Sequence, residues 1–296
     1  GKTLSVQGSG KVGGSLLTSL MPYGVRLIAI ADAGGALFGD DLDMSEVLAA
    51  VENSRNHPDK ALRASCVHAT KNVKERIIGL EGSAKVLEIE CDIVAPAALE
   101  NAVTEENARN IKAKLEVCGA NGPNSSRAEK ILAEQGVTVL YDFLANGAGV
   151  TASYFEWLRN LTDRFRYEAE QIRHVPFDIG CMDKYVMPEF KTRLKKILAN
   201  SESKNTTESW NLLLRDIMFA ALNEDYQFAK EHKVSMKTAG FLNAQLRVLA
   251  ATLARMDEKA RQTILAQLPD KSRNMLKPFM EHPEVQLFMQ RGVKNY

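Results

Sequence analysis

A glycine-rich turn near the start of the chain restricts its fold more than any other segment. The residues from Gly8 to Gly13 read G-S-G-K-V-G, between an apolar strand pattern, Thr3–Gln7, and a helical pattern, Val12–Met21. In this position the first glycine permits a tight turn, the second leaves the backbone open, and the third allows close helix–strand packing. The pattern predicts a strand–turn–helix unit whose helix N-terminus can bind a phosphate group.

An aspartate, Asp32, follows a second strand pattern, Arg26–Ala31, and stands 19 residues after Gly13 (32 − 13). A carboxylate at this point accepts hydrogen bonds from both adenosine ribose hydroxyls and repels a 2′-phosphate. The order of these features therefore predicts NAD as the cofactor. Two alternatives remain at this stage: use of NADP, or a glycine turn with an unrelated surface aspartate.

Short apolar runs alternate with helical patterns over the first half of the chain. Three further strands are expected, at Asp92–Ala95, Lys114–Cys118 and Val137–Leu140. The helical pattern Ser125–Glu134 is followed by Gly136, a residue type that commonly ends helices. This alternation favours a parallel sheet covered by helices on both faces. We predict an α/β fold with a Rossmann-like, doubly wound, mostly parallel sheet in a dinucleotide-binding domain, residues 1–160.

The second half, residues 161–296, is predicted to be a helical segment. Leucines recur at helical spacing and form one apolar stripe, at Leu242, Leu246, Leu249 and Leu253. A second stripe has the same spacing, at Trp210, Leu213, Leu214, Ile217 and Ala221. The polar stretch Asn200–Thr207 is expected to be a loop, and Pro269, Pro278 and Pro283 are expected to interrupt the last helices.

Composition excludes several classes of function. The chain has 38 basic and 37 acidic residues, a net charge of +1, which favours neither nucleic-acid nor membrane-surface binding. The sequence has no run of about 18 apolar residues that would predict a membrane helix, and no signal-peptide pattern is visible.

The four cysteines have no zinc spacing and the five histidines have no catalytic pattern, so we expect no metal. Reduced thiols favour a cytoplasmic protein, with the mitochondrial matrix as the alternative.

Three more turns are expected at the carboxyl ends of the later strands, where a doubly wound sheet binds the second half of a dinucleotide. They read D-I-V-A-P-A-A from Asp92, V-C-G-A-N-G-P from Val117 and L-A-N-G-A-G from Leu144. Asn121 and Asn146 either contact ribose and carboxamide groups or serve only to form turns.

These motifs, together with V-Q-G-S-G-K-V-G and V-T-A-S-Y-F-E-W, closely resemble the glutamate dehydrogenase branch of the glutamate/leucine/phenylalanine/valine dehydrogenases. Residues 208–250 resemble the family's C-terminal helices more loosely. The resemblance implies oxidative deamination of L-glutamate to 2-oxoglutarate and ammonia, with NAD, by a homo-oligomer, usually a hexamer.

The resemblance also implies roles for single residues. The turn residues Gly8, Ser9, Gly10, Lys11, Val12 and Gly13 would bind the pyrophosphate, and Asp32 the adenosine ribose. Ala97 and Ala98 would pack along the cofactor, Asn121 would bind the nicotinamide ribose, and Asn146 the carboxamide. Val150 and Ser153 would contact the substrate, where a serine suits a γ-carboxylate. Ser153 is alternatively a helix-surface or cap residue, and Lys11 alternatively lies on the helix surface.

The sequence departs from the family pattern at several points. Ala148 replaces a glycine of the family's N-A-G-G-V motif, which would cost about 1 kcal/mol if that glycine has a positive φ. Cys118 replaces the glutamate before G-A-N, and Ser9 and Lys11 replace an aromatic residue and an asparagine. These changes leave open a non-catalytic NAD-binding sensor or interaction module.

The family's catalytic lysines and aspartate belong to a domain that precedes the nucleotide domain, and the lysine-bearing glycine-rich motif is not in this sequence. We therefore expect the chain to be part of a longer enzyme that contains no catalytic residue itself. A natural stand-alone domain is the alternative.

Overall fold

The computed structural model describes residues 1–160 and 207–282, together with residues 285, 286 and 289. The chain divides into two compact units, Gly1–Gly147 and Ala148–Tyr296. Each unit is described by itself below.

The first unit contains a seven-stranded sheet flanked by helices. Its strands are β1 (Thr3–Gln7), β2 (Arg26–Asp32), β3 (Gly35–Leu42), β4 (Glu75–Ile78), β5 (Ile93–Pro96), β6 (Leu115–Val117) and β7 (Thr138–Leu140). Its helices are α1 (Lys11–Leu20), α2 (Met44–Asn53), α3 (Glu81–Glu88), α4 (Ser126–Glu134) and α5 (Asp142–Ala145), and a further helix, α6 (Gly147–Asn160), begins at its last residue.

The strand order is β4-β3-β2-β1-β5-β6-β7. The strands β2, β1, β5, β6 and β7 pair in parallel, whereas β3 and β4 are antiparallel to their neighbours. The chain leaves β1 towards β2 on one side and returns to β5 on the other. This reversal creates a crevice at the carboxyl ends of β1 and β5, the place where doubly wound sheets bind ligands. The predicted Rossmann-like, mostly parallel sheet is confirmed.

Apolar side chains cover both faces of the central strands. Leu4 and Val6 of β1 are fully buried and belong to a cluster with Leu17 of α1 and Val47 of α2. A second cluster joins Val94 of β5 to apolar side chains of α4. Because the middle of the sheet is fixed in this way, the loops that follow these strands have a rigid support.

The sequence prediction located all five parallel strands to within one or two residues but missed β3 and β4. Helix α4 ends as expected, because Gly136 adopts a left-handed φ of 77° just beyond it. One proline was assigned wrongly: Pro278 lies inside a helix that continues to Met280. Its missing N–H and its ring do not end the helix, and the two residues that follow, Phe279 and Met280, pack against the cluster that contains Leu276.

The second unit is helical throughout its described part. After α6 it contains α7 (Thr207–His232), α8 (Met236–Ala254), α9 (Glu258–Gln267) and α10 (Asp270–Met280). Leu246 and Leu253 of the predicted leucine stripe are buried in α8, in a cluster with Leu276 of α10. The predicted loop up to residue 206, Pro283 and Cys181 lie outside the described residues. The domain boundary at residue 160 stays a prediction.

Candidate functional site

The turn from Gly8 to Gly13 has a backbone that excludes side chains at two positions. Gly8 has a φ of 109° and donates its N–H to the Ala31 carbonyl at 2.7 Å. A Cβ on Gly8 would lie 2.7 Å from the Ala97 carbonyl oxygen, and a Cβ on Gly13 would lie 1.8 Å from that of Gly8. The turn therefore packs against both neighbouring strands, and glycine is required for backbone approach at these two positions.

The second glycine of the turn, Gly10, faces open space. A Cβ on Gly10 would meet no atom within 4 Å. Gly10 is the N-cap of α1, and no side chain caps this helix end or places an acid in its first turn. Backbone N–H groups and the positive end of the helix dipole are thus available next to unobstructed space. This donor set fits an anionic pyrophosphate, and the exposed Lys11 adds a cation beside it.

Asp32, at the end of β2, is directed towards the glycine turn. Its Oδ2 accepts hydrogen bonds from the Ser9 hydroxyl at 2.5 Å and from the Cys66 N–H at 2.6 Å. Its Oδ1 accepts from the Ser65 hydroxyl at 2.7 Å and from the Gly34 N–H at 2.9 Å. The predicted pyrophosphate turn and the predicted ribose acid are therefore brought together, and they are joined by a direct side-chain bond.

Two of these donors belong to a connecting segment in which the sequence shows no motif of the predicted site. Ser65 is the N-cap of a short 3-10 turn, Cys66–His68, and accepts a bond from the Val67 N–H. The Ser65 N–H donates to the Ser54 hydroxyl at 3.0 Å. Serine commonly bonds to the backbone of a following turn, but nothing local in the sequence links Ser65 to an acid 33 positions earlier.

The turns after β5 and β6 lie beside the glycine turn. The Ala97 N–H donates to the Gln7 carbonyl at 2.7 Å, and the N–H groups of Gly119 and Ala120 reach the Pro96 carbonyl at 3.0 Å. A Cβ on Gly119 would lie 3.1 Å from side-chain atoms of both Ala97 and Val12. The structure thus places Ala97 next to the start of α1, with the exposed Ala98 following it.

Asn121 and Asn146 lie in contact. The Asn146 Nδ2 donates to the Asn121 Oδ1 at 2.6 Å, although 25 residues separate them. The Gly122 N–H is held by the Asp142 carboxylate at 2.8 Å, which ties the β6 turn to α5. The two predicted nicotinamide-side residues are therefore adjacent at the carboxyl ends of β6 and β7.

The two predicted substrate residues, Val150 and Ser153, lie in α6 with exposed side chains. They fall in the second unit, so their position relative to the turns above is not described. Ala148, in the same helix, is not among the described residues with positive φ. The exchange of glycine for alanine in this motif therefore carries no backbone strain of the kind considered above.

A buried carboxyl group lies close to Cys118. Residues 116 and 118 share one face of the extended chain, because side chains alternate along a strand. Glu116 is fully buried and accepts a bond from the Asn124 Nδ2 at 2.9 Å, which also approaches the Cys118 sulfur at 3.8 Å. Burial raises the pKa of Glu116 to about 7. Cys118 stands where the family pattern has a glutamate, and Glu116 supplies a carboxyl group on the same face two residues earlier.

The described thiols are buried and unreactive in character. Cys66, Cys91 and Cys118 are all buried. Burial raises the pKa of the Cys66 thiol, with a further rise from the charge of Asp32, and it raises the pKa of Cys91 to about 11.

Among the residues that the structure describes, no cluster suits a metal ion. The described helices also include none long and apolar enough to cross a membrane.

Comparison with known proteins identifies the family. The model of the glutamate/leucine/phenylalanine/valine dehydrogenases matches residues 1–176. The chain belongs to this family.

Relatives within the family share over a third of the aligned residues. Glutamate dehydrogenase B of Halobacterium salinarum is 38% identical over 172 residues, which cover 58% of this chain and 36% of that protein. The NAD-specific glutamate dehydrogenase A of Halobacterium salinarum is 39% identical over 163 residues, 55% of this chain and 34% of the relative. The chain thus spans about a third of the length of the curated relatives it matches.

Solved structures confirm the fold. The glutamate dehydrogenase of Plasmodium falciparum superposes with a TM-score of 0.54 at 18% identity, covering 82% of this chain and 44% of that one. A hetero-hexameric glutamate dehydrogenase from Thermus thermophilus gives a TM-score of 0.52 at 22% identity, covering 81% and 44%.

Proposed function

We propose that this chain is the nucleotide-binding part of an NAD-dependent glutamate dehydrogenase, which oxidatively deaminates L-glutamate to 2-oxoglutarate and ammonia. One observation supports this most strongly. The uncapped glycine turn and the acid at the end of β2 meet at the crevice of a doubly wound sheet, joined by the bond between Ser9 and Asp32. The names of the similar enzymes support glutamate as the substrate.

In this proposal the first half of the dinucleotide is held by the turn and by Asp32. The space at Gly10 admits the pyrophosphate, and the N–H groups of the first turn of α1 donate to it. The Asp32 carboxylate accepts bonds from the adenosine ribose and would repel a 2′-phosphate, which favours NAD over NADP. The NAD-specific relative agrees with this choice.

The second half of the cofactor is assigned to the turns after β5, β6 and β7. Ala97 and Ala98 flank it, Asn121 binds the nicotinamide ribose, and Asn146 binds the carboxamide. The bond between the two asparagines holds both amides in one orientation. When bound, the nicotinamide supplies the hydride acceptor; the protein orients it and excludes water from the reacting carbon.

The remaining proposals concern the whole enzyme. Val150 and Ser153 contact the substrate, and the Ser153 hydroxyl donates to the γ-carboxylate. The full-length protein is a homo-oligomer, a hexamer, and acts in the cytoplasm. Catalytic lysine and aspartate side chains come from outside this sequence, so the chain alone binds NAD without turning over glutamate.

A substitution at Gly10 tests the pyrophosphate site. Because a Cβ there meets nothing within 4 Å and φ is −71°, Gly10→Val should fold normally. Its side chain would fill the space beside the helix N-terminus, so we expect NADH affinity to fall at least tenfold in calorimetric titration. The matched control is Ser126→Val, in the first turn of α4, which should bind like the unaltered chain. Equal binding by Gly10→Val would contradict the proposed site.

A further inference from the structure

The Asp32 carboxylate is fully hydrogen-bonded before any ligand is bound. An ionised carboxylate offers about four lone-pair positions, and four protein donors reach Asp32: two backbone N–H groups and two serine hydroxyls. A ribose hydroxyl that binds this carboxylate must therefore replace a donor already in place. The backbone N–H donors of Gly34 and Cys66 are fixed by the chain. The donor that the ribose hydroxyl replaces must therefore be one of the two serine hydroxyls.

The two serines differ in what else holds them. The Ser65 hydroxyl also accepts a bond from the Val67 N–H and caps the turn that follows. It is packed so closely that a Cβ on Gly34 would lie 2.2 Å from its oxygen. The Ser9 hydroxyl, within the described part of the chain, bonds to Asp32 alone. Ser9 also lies on the glycine turn beside the space at Gly10, where the ligand would enter.

We propose that the Ser9 hydroxyl occupies the position on Asp32 that an adenosine ribose hydroxyl takes, so that Ser9 is an intramolecular competitor that lowers dinucleotide affinity. This inference rests on the proposed NAD site. Binding exchanges one hydroxyl donor for another on the same carboxylate oxygen, so this contact contributes little net free energy in the unaltered chain. Without the Ser9 hydroxyl, the ribose meets a carboxylate with one open position.

The test is a binding cycle with two ligands and two proteins. The ligands are NAD and its analogue with a 2′,3′-dideoxyadenosine half, which lacks the hydroxyls that compete with Ser9. We expect Ser9→Ala to bind NAD about threefold to tenfold more tightly. A gain of this size corresponds to a fraction of the net free energy of one hydrogen bond to a charged group. We expect the dideoxy analogue to show no gain. Ser9→Cys, of similar size but with a weak donor, should shift NAD affinity in the same direction.

The outcomes separate this inference from the proposed function. If the unaltered chain fails to bind NAD at millimolar concentration, the NAD site itself is wrong. If it binds NAD but Ser9→Ala binds equally or more weakly, the site stands and the competition by Ser9 is wrong. An equal gain for NAD and for the dideoxy analogue would also overturn the competition, because the gain would then not arise at the ribose.

Discussion

At the scale of single residues, the candidate site depends on where each polar group finds its partner. Asp32 was predicted from a local pattern of strand, turn, helix and acid, and the structure places it against the predicted turn. Its partners Ser65 and Cys66 were not predicted. They come from a connecting segment more than 30 residues later, and only tertiary packing brings that segment to the end of β2.

Glu116 gives a prediction about pH. Burial raises its pKa from 4.5 to about 7 in the folded chain, so the unfolded chain loses this proton first as pH rises. The contribution of Glu116 to the unfolding free energy is therefore highest below pH 4.5, where the carboxyl is protonated in both states. It is lost as pH rises through about 7. Glu116→Gln keeps the shape and the bond with Asn124 without ionising. We expect its unfolding free energy, relative to the unaltered chain, to rise by about 3 kcal/mol between pH 4 and pH 8.

Urea unfolding followed by circular dichroism across this pH range measures the difference. Glu134→Gln, at the exposed end of α4, is the control and should leave the pH dependence unchanged. A constant difference between Glu116→Gln and the unaltered chain would mean that Glu116 has the same pKa in the folded and unfolded chains, which would contradict the raised pKa.

At the scale of elements, the strands that the sequence revealed are the five parallel ones, which alternate with helices along the chain and include the most buried strands of the sheet. β5 reads as a continuous apolar run, whereas β1 has apolar residues only at Leu4 and Val6, although four of its five residues are buried. β3 and β4 gave no such pattern. β3 contains two glycines and two adjacent aspartates, and its second half is partly exposed; β4 has four mostly exposed residues at the sheet edge. Their pairing is antiparallel, which the βαβ alternation does not predict.

The end of α4 offers a clean test of backbone conformation. Gly136 has a φ of 77°, and a Cβ there would meet nothing within 4 Å. Gly136→Ala therefore adds no clash and costs only the left-handed conformation, about 1 kcal/mol of unfolding free energy. Gly149→Ala is the matched control: it also has open space, but it lies inside α6 without a left-handed φ, so it should be neutral or stabilising. Thermal unfolding compares them, and equal effects would refute the argument.

At the scale of the whole molecule, the described site is suited to one part of the proposed reaction, the binding of the dinucleotide. The turns at the carboxyl ends of the parallel strands contain donors and acceptors suited to a dinucleotide. Among the sequence motifs, none supplies the lysine that polarises a 2-oxo carbon or the acid that moves its protons. In the proposed enzyme, this chain binds the cofactor and a domain outside this sequence performs the proton transfers.

This division predicts that binding and turnover separate. This chain alone should bind NADH, measured by calorimetry, yet it should not reduce NAD when L-glutamate is added, measured by absorbance at the nicotinamide band. Fusing to its N-terminus the preceding domain of a similar glutamate dehydrogenase should restore reduction, because the lysine and acid then face the bound nicotinamide. Gly10→Val should weaken both readouts together. A fusion that folds and binds NADH but reduces no NAD would instead favour the non-catalytic sensor, with Cys118 in place of the family glutamate as the first residue to restore.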